Sequence, residues 1–293
     1  MRIFVTGASG WIGSAVIPEL IHNGHHVIGL ARSDASAKIV AQRGAEVLRG
    51  ELSDIDVLRK GALESDGVIH LAFVVPSISE AATTIDAKAI ETFAKALTGT
   101  GKPILITGGT LVTPGRTSNE RDELIAAGPI AARIDNMKVA LAAAENGVRS
   151  CLVMLPRSVH GQGDRHGFVP QLIAAARAKG ISGYVGGGAN RWPAVHVKDA
   201  ATLYRLAIEK GPAGAVLNAV GDEGVPVREI AQTIGRHLGL PSRSLPAEDF
   251  SGMLAFILSA DMPASSLITQ ELLSWKPIHA GLIEDIEMGH YFD

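Results

Sequence analysis

Short apolar runs alternate with longer amphipathic segments over the first 155 residues of the chain. A short apolar run between turn residues predicts a buried strand, and apolar residues three and four positions apart predict a helix. Apolar strands separated by helices indicate a parallel sheet with helices on both faces. The sequence therefore predicts a doubly wound α/β domain. Its strands are expected at residues 1–6, 26–31, 45–49, 67–71, 103–107 and 150–155, and its helices at 11–23, 35–43, 55–64, 129–146 and over a long segment ending near residue 98.

The pattern loosens after Pro156. Glycine-rich stretches at 161–167 and 183–188 flank a predicted helix at 169–179, and strand-like segments return at 194–197 and 215–219. We expect both returning strands to add to the central sheet. No internal repeat or low-complexity linker marks a separable second domain. The predicted organisation is a main domain over residues 1–155, with returning strands near 194–219, and a smaller C-terminal lobe over 156–193 and 220–293.

Composition excludes several classes of protein. The chain has 293 residues, 46% of them hydrophobic, and a formal net charge of −3 without a run of basic residues, which argues against disorder and against a nucleic-acid partner. The single cysteine, Cys151, can form neither an internal disulfide nor a cysteine-based zinc site, and the ten histidines show no metal-binding spacing. The longest apolar runs fall far short of the ~20 residues that span a bilayer. We expect a cytoplasmic protein without a metal or a membrane partner.

Three glycines follow the first predicted strand directly. Gly7, Gly10 and Gly13 lie between that strand and a predicted helix. Glycines at this spacing let the backbone approach a pyrophosphate, and the positive end of the helix binds its charge. The position between a strand and a helix, within a series of such units, is the context that supports the motif. The main domain is therefore predicted to bind a dinucleotide, and the C-terminal lobe a substrate.

The end of the second predicted strand indicates which nicotinamide is bound. An NAD site usually has an acidic residue there, to hold the ribose hydroxyls. Here the chain has Arg32 and Ser33, whose guanidinium and hydroxyl can bind a 2′-phosphate. The alternative is that Arg32 is a solvated loop residue. We predict NADP(H) as the cofactor, with NAD less favoured.

Four segments together resemble the extended short-chain dehydrogenase/reductase superfamily, also called the NAD-dependent epimerase/dehydratase family, which has a Rossmann fold. These segments are the glycine loop at 6–13, Val-Ile-His-Leu-Ala at 68–72, Leu-Pro-Arg-Ser-Val-His-Gly at 155–161, and the strand-to-helix element at 194–201. The resemblance covers nearly the whole chain. It places Glu51, Leu52 and Asp66 near the adenine and residues 70–72 near the ribose. The cofactor contacts that it implies, together with those argued above, are Gly7, Ser9, Gly10, Trp11, Ile12, Gly13, Arg32, Ser33, Glu51, Leu52, Leu71, Ala72, Lys138 and Pro156.

The catalytic signature departs from this family. The family has a Tyr followed four residues later by a Lys, and the corresponding positions here are Ile134 and Lys138. The family's Ser falls on Gly109, with Thr110 one residue further. The chain therefore resembles an atypical subgroup of the superfamily. Lys138 is expected to hold the nicotinamide ribose, unless it is an ordinary surface lysine.

A replacement proton donor has to come from elsewhere in the chain. His160 follows the sixth predicted strand and titrates in a suitable range, although a histidine in such a loop is often structural. Thr110 can hydrogen-bond a substrate oxygen, while His166 and His196 are further candidates. Without a Tyr acid, reduction of an iminium or of an enone should be easier than reduction of a simple ketone.

These residues predict an NADP(H)-dependent oxidoreductase that acts on a small apolar organic molecule, with the catalytic residues Lys138, Thr110 and His160. One alternative is a catalytically silent NADP(H)-binding redox sensor. Another is an enzyme resembling nucleotide-sugar epimerases and dehydratases, a chemistry that relies on the missing Tyr. A homodimer is left open.

Overall fold

A computed structural model describes residues 1–73, 79–126, 131–250 and 252–293. The predicted alternation of strands and helices is present throughout the first 155 of these residues. The strands are β1 (Arg2–Thr6), β2 (His26–Ala31), β3 (Glu46–Arg49), β4 (Gly67–His70), β5 (Pro103–Gly109), β6 (Arg149–Leu155), β7 (Ser158–His160), β8 (Ser182–Val185), β9 (Arg191–His196), β10 (Ala215–Asn218), β11 (Asp222–Pro226) and β12 (Ser242–Leu245). The helices are α1 (Trp11–His22), α2 (Asp34–Gln42), α3 (Ile55–Leu63), α4 (Glu80–Leu97), α5 (Ala131–Ala142), α6 (Phe168–Lys179), α7 (Val197–Lys210), α8 (Val227–Leu238), α9 (Gly252–Ser259), α10 (Leu267–Leu273) and α11 (Leu282–Glu287).

The central sheet has seven parallel strands in the order β10-β6-β5-β4-β1-β2-β3. Because the order reverses at β1 and β4, helices cover both faces. One apolar core, which includes Val16 and Tyr204, lies beneath α1 and α7. A second core, which includes Phe4 and Phe93, lies beneath α3, α4 and α5. The structure confirms the predicted doubly wound α/β fold.

One of the two returning strands was assigned to the wrong sheet. The segment at 215–219 forms β10, which pairs in parallel with β6 at the edge of the central sheet. The segment at 194–197 lies mostly in β9, which pairs with β7 and β11 in a separate three-stranded sheet. After β9 the chain forms α7, which packs with α1 on one face of the central sheet, and it returns to that sheet only at β10.

The C-terminal region has an apolar core of its own. The side chains of Trp192, Ile257 and Leu282 are fully buried there, and the indole N–H of Trp192 donates to the carbonyl oxygen of Ile257 at 3.2 Å. Members of this core come from 168–194 and 225–292. Within the described part of the chain, no helix has the length and apolar character that are needed to cross a membrane.

Candidate cofactor and active site

The glycine loop packs against the end of β4 so closely that only glycine fits. Gly7 has a φ of 68°, and a Cβ added there would lie 2.7 Å from the amide nitrogen of Ala72. A Cβ on Gly13 would lie 2.6 Å from the carbonyl oxygen of Ala8. The structure thereby brings together the loop and the segment Leu71–Ala72, two of the predicted cofactor-binding segments, at the carboxyl edge of the sheet.

The first turn of α1 has free backbone donors for an anion. Gly10 is the N-cap residue and makes no side-chain capping bond, and the first amide bonded back to it is that of Ser14, at 3.0 Å. The amides of Trp11, Ile12 and Gly13 precede that bond, as at any helix start, and they lie at the positive end of the helix dipole. Donors of this kind fit the charge of a pyrophosphate.

The side chain of Trp11 forms a hydrogen bond to a residue outside the glycine loop. Its indole N–H donates to the carbonyl oxygen of Val159, in β7, at 2.8 Å. This bond ties the glycine loop to the strand that follows the carboxyl end of β6. Ser9 is partly buried beside it in the loop, and Ile12 packs partly against the core beneath α1.

Arg43 supports the glycine loop and was not expected from the sequence. Its guanidinium donates to the carbonyl oxygens of Ala8 and Gly10, the latter at 3.3 Å. Burial lowers the pKa of Arg43 from its ordinary value. The residue follows α2 without any motif around it, so its contact with the loop depends on the tertiary fold.

Two arginines lie where the sequence predicts the adenosine end of the cofactor, after β2 and at the end of β3. Arg32 is exposed after β2, and Arg49 ends the neighbouring β3, in register with Ala31. Asp34, the nearest acid, pairs with Arg49 at 3.0 Å. Ser33 caps α2, because its hydroxyl accepts from an amide in the first turn of that helix. Arg49 was missed because the pairing of the two predicted strands, which sets Arg49 beside Ala31, leaves no local signal in the sequence.

The residues expected near the adenine lie in different parts of the structure. Glu51 is exposed and accepts a hydrogen bond from the hydroxyl of Ser53 at 2.7 Å, while Leu52 packs partly against the core beneath α3. The expectation for Asp66 is wrong. Its carboxylate accepts from the amide of Arg2 at 2.7 Å, at the start of β1 and therefore at the edge of the sheet opposite the glycine loop.

Helix α5 presents a different pair of residues to the sheet from the one that the family alignment suggests. Ile134 is buried in the core beneath α5, and Lys138 is exposed on the outer face, 3.6 Å from the carboxylate of Asp135. Successive helical residues are about 100° apart around the helix axis. The pair one position earlier, Arg133 and Met137, therefore points in a different direction from Ile134 and Lys138. Met137 lies against Gly108 of β5. Lys138 is thus paired within α5 and has no hydrogen bond to the carboxyl edge among the described residues.

Arg133 is the side chain of α5 that reaches this edge. Its Nη2 donates to the carbonyl oxygen of Thr107, in β5, at 3.1 Å, and its guanidinium carbon lies 3.8 Å from the centre of the Phe73 ring, just beyond β4. Burial lowers the pKa of Arg133, an effect that the charge of Asp86 opposes. No carboxylate of the described residues pairs with it within 4.0 Å, and residues 74–78, 127–130 and 251 include no Asp or Glu.

A buried chain of polar groups lies beneath Arg133. His70 is 2.7 Å from the hydroxyl of Thr6 through Nδ1 and 3.1 Å from Asp86 through Nε2. Asn136 donates to the second oxygen of Asp86 at 2.9 Å. Burial alone would raise the pKa of Asp86, but the hydrogen bonds and the charges of His70 and Arg133 outweigh it and hold that pKa below its ordinary value. These hydrogen bonds link α5 to the end of β4.

The ends of β5 and β6 bring two further predicted residues to the same edge. The amide of Thr110 donates to the carbonyl oxygen of Leu155 at 2.9 Å, and its side chain is partly exposed. Pro156 is buried directly after β6. Thr110 and Pro156 therefore lie at the carboxyl edge with the glycine loop and with Arg133.

His160 is enclosed in the interior. Its side chain has no exposed surface, and its Nδ1 is 3.0 Å from the carboxylate of Asp285. Its ring lies edge-on to that of His196, with 5.6 Å between the centroids. His196 is half-buried and accepts from the amide of Lys198, at the start of α7, while His166 is exposed. A substrate in an open cleft does not touch His160.

None of the three tyrosines of the chain occupies the place of a catalytic acid. Tyr204 is fully buried beneath β5, with its hydroxyl 2.8 Å from that of Thr107, and burial raises its pKa. Tyr291 accepts from the amide of Gly161 at 3.0 Å. Tyr184 lies in β8, beneath the guanidinium of Arg228. Elsewhere, no group of three or more His, Cys, Asp or Glu among the described residues could hold a metal ion.

Comparisons with known proteins identify relatives of this chain. The uncharacterized protein YLL056C of Saccharomyces cerevisiae is 46% identical over 297 residues, which cover 99% of both chains. The 4-hydroxy-2-methyl-3-oxo-4-farnesyl-3,4-dihydroquinoline-1-oxide ketoreductase of Stigmatella aurantiaca is 29% identical over 78% of this chain and 70% of its own. The structure of DesIV, a dTDP-glucose 4,6-dehydratase from Streptomyces venezuelae with NAD bound, superposes with a TM-score of 0.78, 19% identity and coverage of 98% and 96%.

The sequence model of the NAD dependent epimerase/dehydratase family matches residues 3–219, from β1 to the end of β10. This range includes the glycine loop, the ends of β4, β5 and β6, and Arg133. The chain thus belongs to the NAD-dependent epimerase/dehydratase family and is an enzyme of the NAD(P)-dependent oxidoreductases and epimerases of the extended short-chain superfamily.

Proposed function

We propose that this protein is an NADP(H)-dependent reductase of small, conjugated organic carbonyl compounds, in which Arg133 stabilises the developing negative charge in place of a tyrosine acid. The observation that carries the proposal is the position of the Arg133 guanidinium at the carboxyl edge of the sheet, bonded to Thr107 and without a carboxylate partner among the described residues. Ligands of doubly wound sheets bind at this edge.

The residues of the glycine loop fit the cofactor. The first-turn amides of α1 bind the pyrophosphate, and Gly7 and Gly13 allow the loop to pack against Ala72 and Ala8. Arg32 and Arg49 bind the 2′-phosphate of NADP(H), since Asp34 is paired with Arg49 rather than free for a ribose hydroxyl. When bound, the reduced nicotinamide supplies a hydride.

Arg133 provides a fixed positive charge. Hydride addition to a carbonyl or an enone leaves negative charge on an oxygen, and a preorganised donor in a partly dry site stabilises that charge more than water does. The guanidinium retains its proton at neutral pH, so water has to supply the proton. The site therefore favours a product anion that is delocalised, such as the enolate from an enone. A cationic iminium substrate is disfavoured beside the positive charge of Arg133. Of the two reactions that the sequence favours, reduction of an iminium and reduction of an enone, the enone reduction therefore remains.

Other predicted residues take supporting roles. The hydroxyl of Thr110 binds the substrate oxygen beside Arg133. His160 is a positioning residue, because its bond with Asp285 fixes β7, to which the indole of Trp11 also bonds. Lys138 has no role at the cofactor, since it lies on the outer face of α5.

A combined binding and turnover experiment tests this function. Calorimetry with NADPH and NADH measures the cofactor preference, and oxidation of NADPH is then followed with one enone, one simple ketone and one cyclic imine. We expect tighter binding of NADPH and fastest turnover of the enone. Fastest turnover of the ketone, abolished by His160→Ala, would contradict the proposal and make His160 the acid. Tight binding of NADPH without turnover of any compound would favour the redox sensor.

A further inference from the structure

Arg157 is a second partly buried arginine near the carboxyl edge. It is the second residue after β6, so it lies where the chain leaves the central sheet for the C-terminal lobe. Its Nη2 is 3.4 Å from the sulfur of Met262, and its guanidinium carbon is 5.8 Å from the centre of the Phe168 ring, at the start of α6. The guanidinium thus spans the gap between the end of β6 and two residues of the lobe.

The charge of Arg157 is not compensated by the protein. Its Nε is buried and has no hydrogen-bond partner. No carboxylate of the described residues lies within 4.0 Å of the guanidinium, and the residues outside the described ranges include no Asp or Glu. Burial lowers its pKa, without a neighbouring charge that acts on it. Arg191, another arginine of the lobe, is by contrast paired on the surface with Asp261 at 2.8 Å.

A partly buried guanidinium whose Nε is enclosed without an acceptor is costly, because that group has lost water and gained no counter-charge. Buried polar groups that lack a partner call for a specific explanation, and a ligand that completes the bonds is one. The two apolar neighbours, Phe168 and Met262, cannot accept a strong hydrogen bond. The surroundings of Arg157 therefore provide apolar surface but no anionic hydrogen-bond acceptor.

We propose that Arg157 binds a carboxylate of the substrate, which is therefore an organic acid with an apolar body. The planar fork of a guanidinium matches the two oxygens of a carboxylate. A single guanidinium balances one unit charge, and Arg133 is engaged with the reacting oxygen, so a carboxylate is favoured over a phosphate dianion. The inference rests on the proposed function, because it specifies the substrate of that same site.

The binding test uses three probes with the same ring: benzoate, benzamide and phenyl phosphate, titrated by calorimetry into the protein saturated with NADP⁺. Benzoate is expected to bind at least about tenfold more tightly than benzamide, because only the carboxylate can form a bidentate ion pair with the guanidinium. Arg157→Met should weaken benzoate binding about 10- to 100-fold and leave benzamide within about twofold. Arg157→Lys should retain part of the preference, and Arg191→Met, which removes an exposed paired arginine, should leave it unchanged.

Thermal unfolding separates this role from a structural one. If the charge is uncompensated, Arg157→Met should raise Tm by about 2–4 °C without ligand, and benzoate should raise the Tm of the wild type only. A lower Tm of Arg157→Met, with benzoate binding unchanged, would make Arg157 a structural residue. If Arg157→Met fails to fold, the same comparison is made with Arg157→Gln.

Three other results would overturn the inference. These are equal affinity for benzoate and benzamide, absence of binding by all three probes, and binding of phenyl phosphate that is more than about tenfold tighter than that of benzoate. None of these measurements requires turnover. Benzoate binding as expected, together with no oxidation of NADPH, would remove the proposed reductase function and leave the carboxylate site.

Discussion

Arg133 on α5 donates to the carbonyl oxygen of Thr107 in β5 at 3.1 Å. This bond joins α5 to the carboxyl end of β5. It uses one donor of the guanidinium and leaves the others available. In the proposed function, this permanent cation stabilises the charge that a tyrosine acid would otherwise neutralise.

The first prediction compares Arg133 with Lys138. Arg133→Met should lower kcat for an enone by about 10²-fold or more, the usual effect of removing one preorganised donor to a developing oxyanion. Lys138→Met, the matched control on the outer face of the same helix, should stay within about twofold. Steady-state oxidation of NADPH measures both. The opposite ranking would restore Lys138 to the site.

The surroundings of Arg133 and Lys138 show which information a helical sequence pattern lacks. Spacing of four residues places Ile134 and Lys138 about 40° apart around a helix, but it does not determine which of them faces the sheet. In the structure Ile134 fills the core beneath α5 and Asn136 reaches Asp86, both tertiary contacts, whereas Lys138 is exposed. The role predicted for Lys138 stays a prediction, and the comparison with Arg133 tests it.

The fold and the glycine loop were easier to predict, because the sequence patterns that indicate them are local. Gly7, Gly10 and Gly13 follow a strand directly, and each strand of the parallel sheet is an apolar run of its own. Long-range contacts left no such signal. The bonds of Arg43 to the glycine loop and the enclosure of His160 by Asp285 join residues 33 to 125 positions apart.

The second prediction concerns cofactor choice. Arg32→Ala should weaken NADPH binding about 10- to 100-fold and NADH binding much less, since only NADPH has the 2′-phosphate. Lys38→Ala, an exposed cation on the neighbouring helix, is the control and should have a smaller effect. Calorimetry with both nucleotides measures the ratio. Equal or tighter binding of NADH by the wild type would contradict the NADP assignment.

The third prediction separates binding from folding in the glycine loop. A Cβ on Gly10 would approach only the carbonyl oxygen of Gly7, at 3.2 Å, so Gly10→Ala should fold. It should bind neither nicotinamide measurably, because the methyl group occupies the space of the pyrophosphate. Gly13→Ala should instead be strongly destabilised, since its Cβ meets backbone at 2.6 Å. Normal NADPH affinity in folded Gly10→Ala would exclude this loop as the site.

The fourth prediction tests the buried chain beneath Arg133. Asn136→Leu removes the bond to Asp86 and leaves a buried carboxylate oxygen without that donor, which should lower the free energy of unfolding by about 1–3 kcal/mol. Asp135→Ala, at the neighbouring exposed position, should change it by less than about 0.5 kcal/mol. Urea unfolding measures both. A neutral effect of Asn136→Leu would mean that Asp86 is satisfied without Asn136.

The last prediction is a pH dependence of stability. Burial, and then the charge of His160, lowers the pKa of His196 from 6.5 to about 4. In the unfolded chain the same histidine titrates near its ordinary value, so between about pH 6.5 and pH 4 the unfolded state binds more protons than the folded state. Stability must therefore fall as the pH falls through this window. Because His196 is only half-buried, solvent screening limits the loss to about 1–2 kcal/mol.

His196→Asn isolates this effect, because asparagine does not titrate and can still cap α7 in place of the ring nitrogen that accepts from Lys198. The free energy of unfolding, measured in urea at about pH 7 and about pH 5, should change less in this variant than in the wild type. His22→Asn, which removes an exposed histidine of α1, should retain the wild-type slope. If the slope of His196→Asn equals that of the wild type, other groups cause the loss of stability, and His196 is not kept neutral by its surroundings.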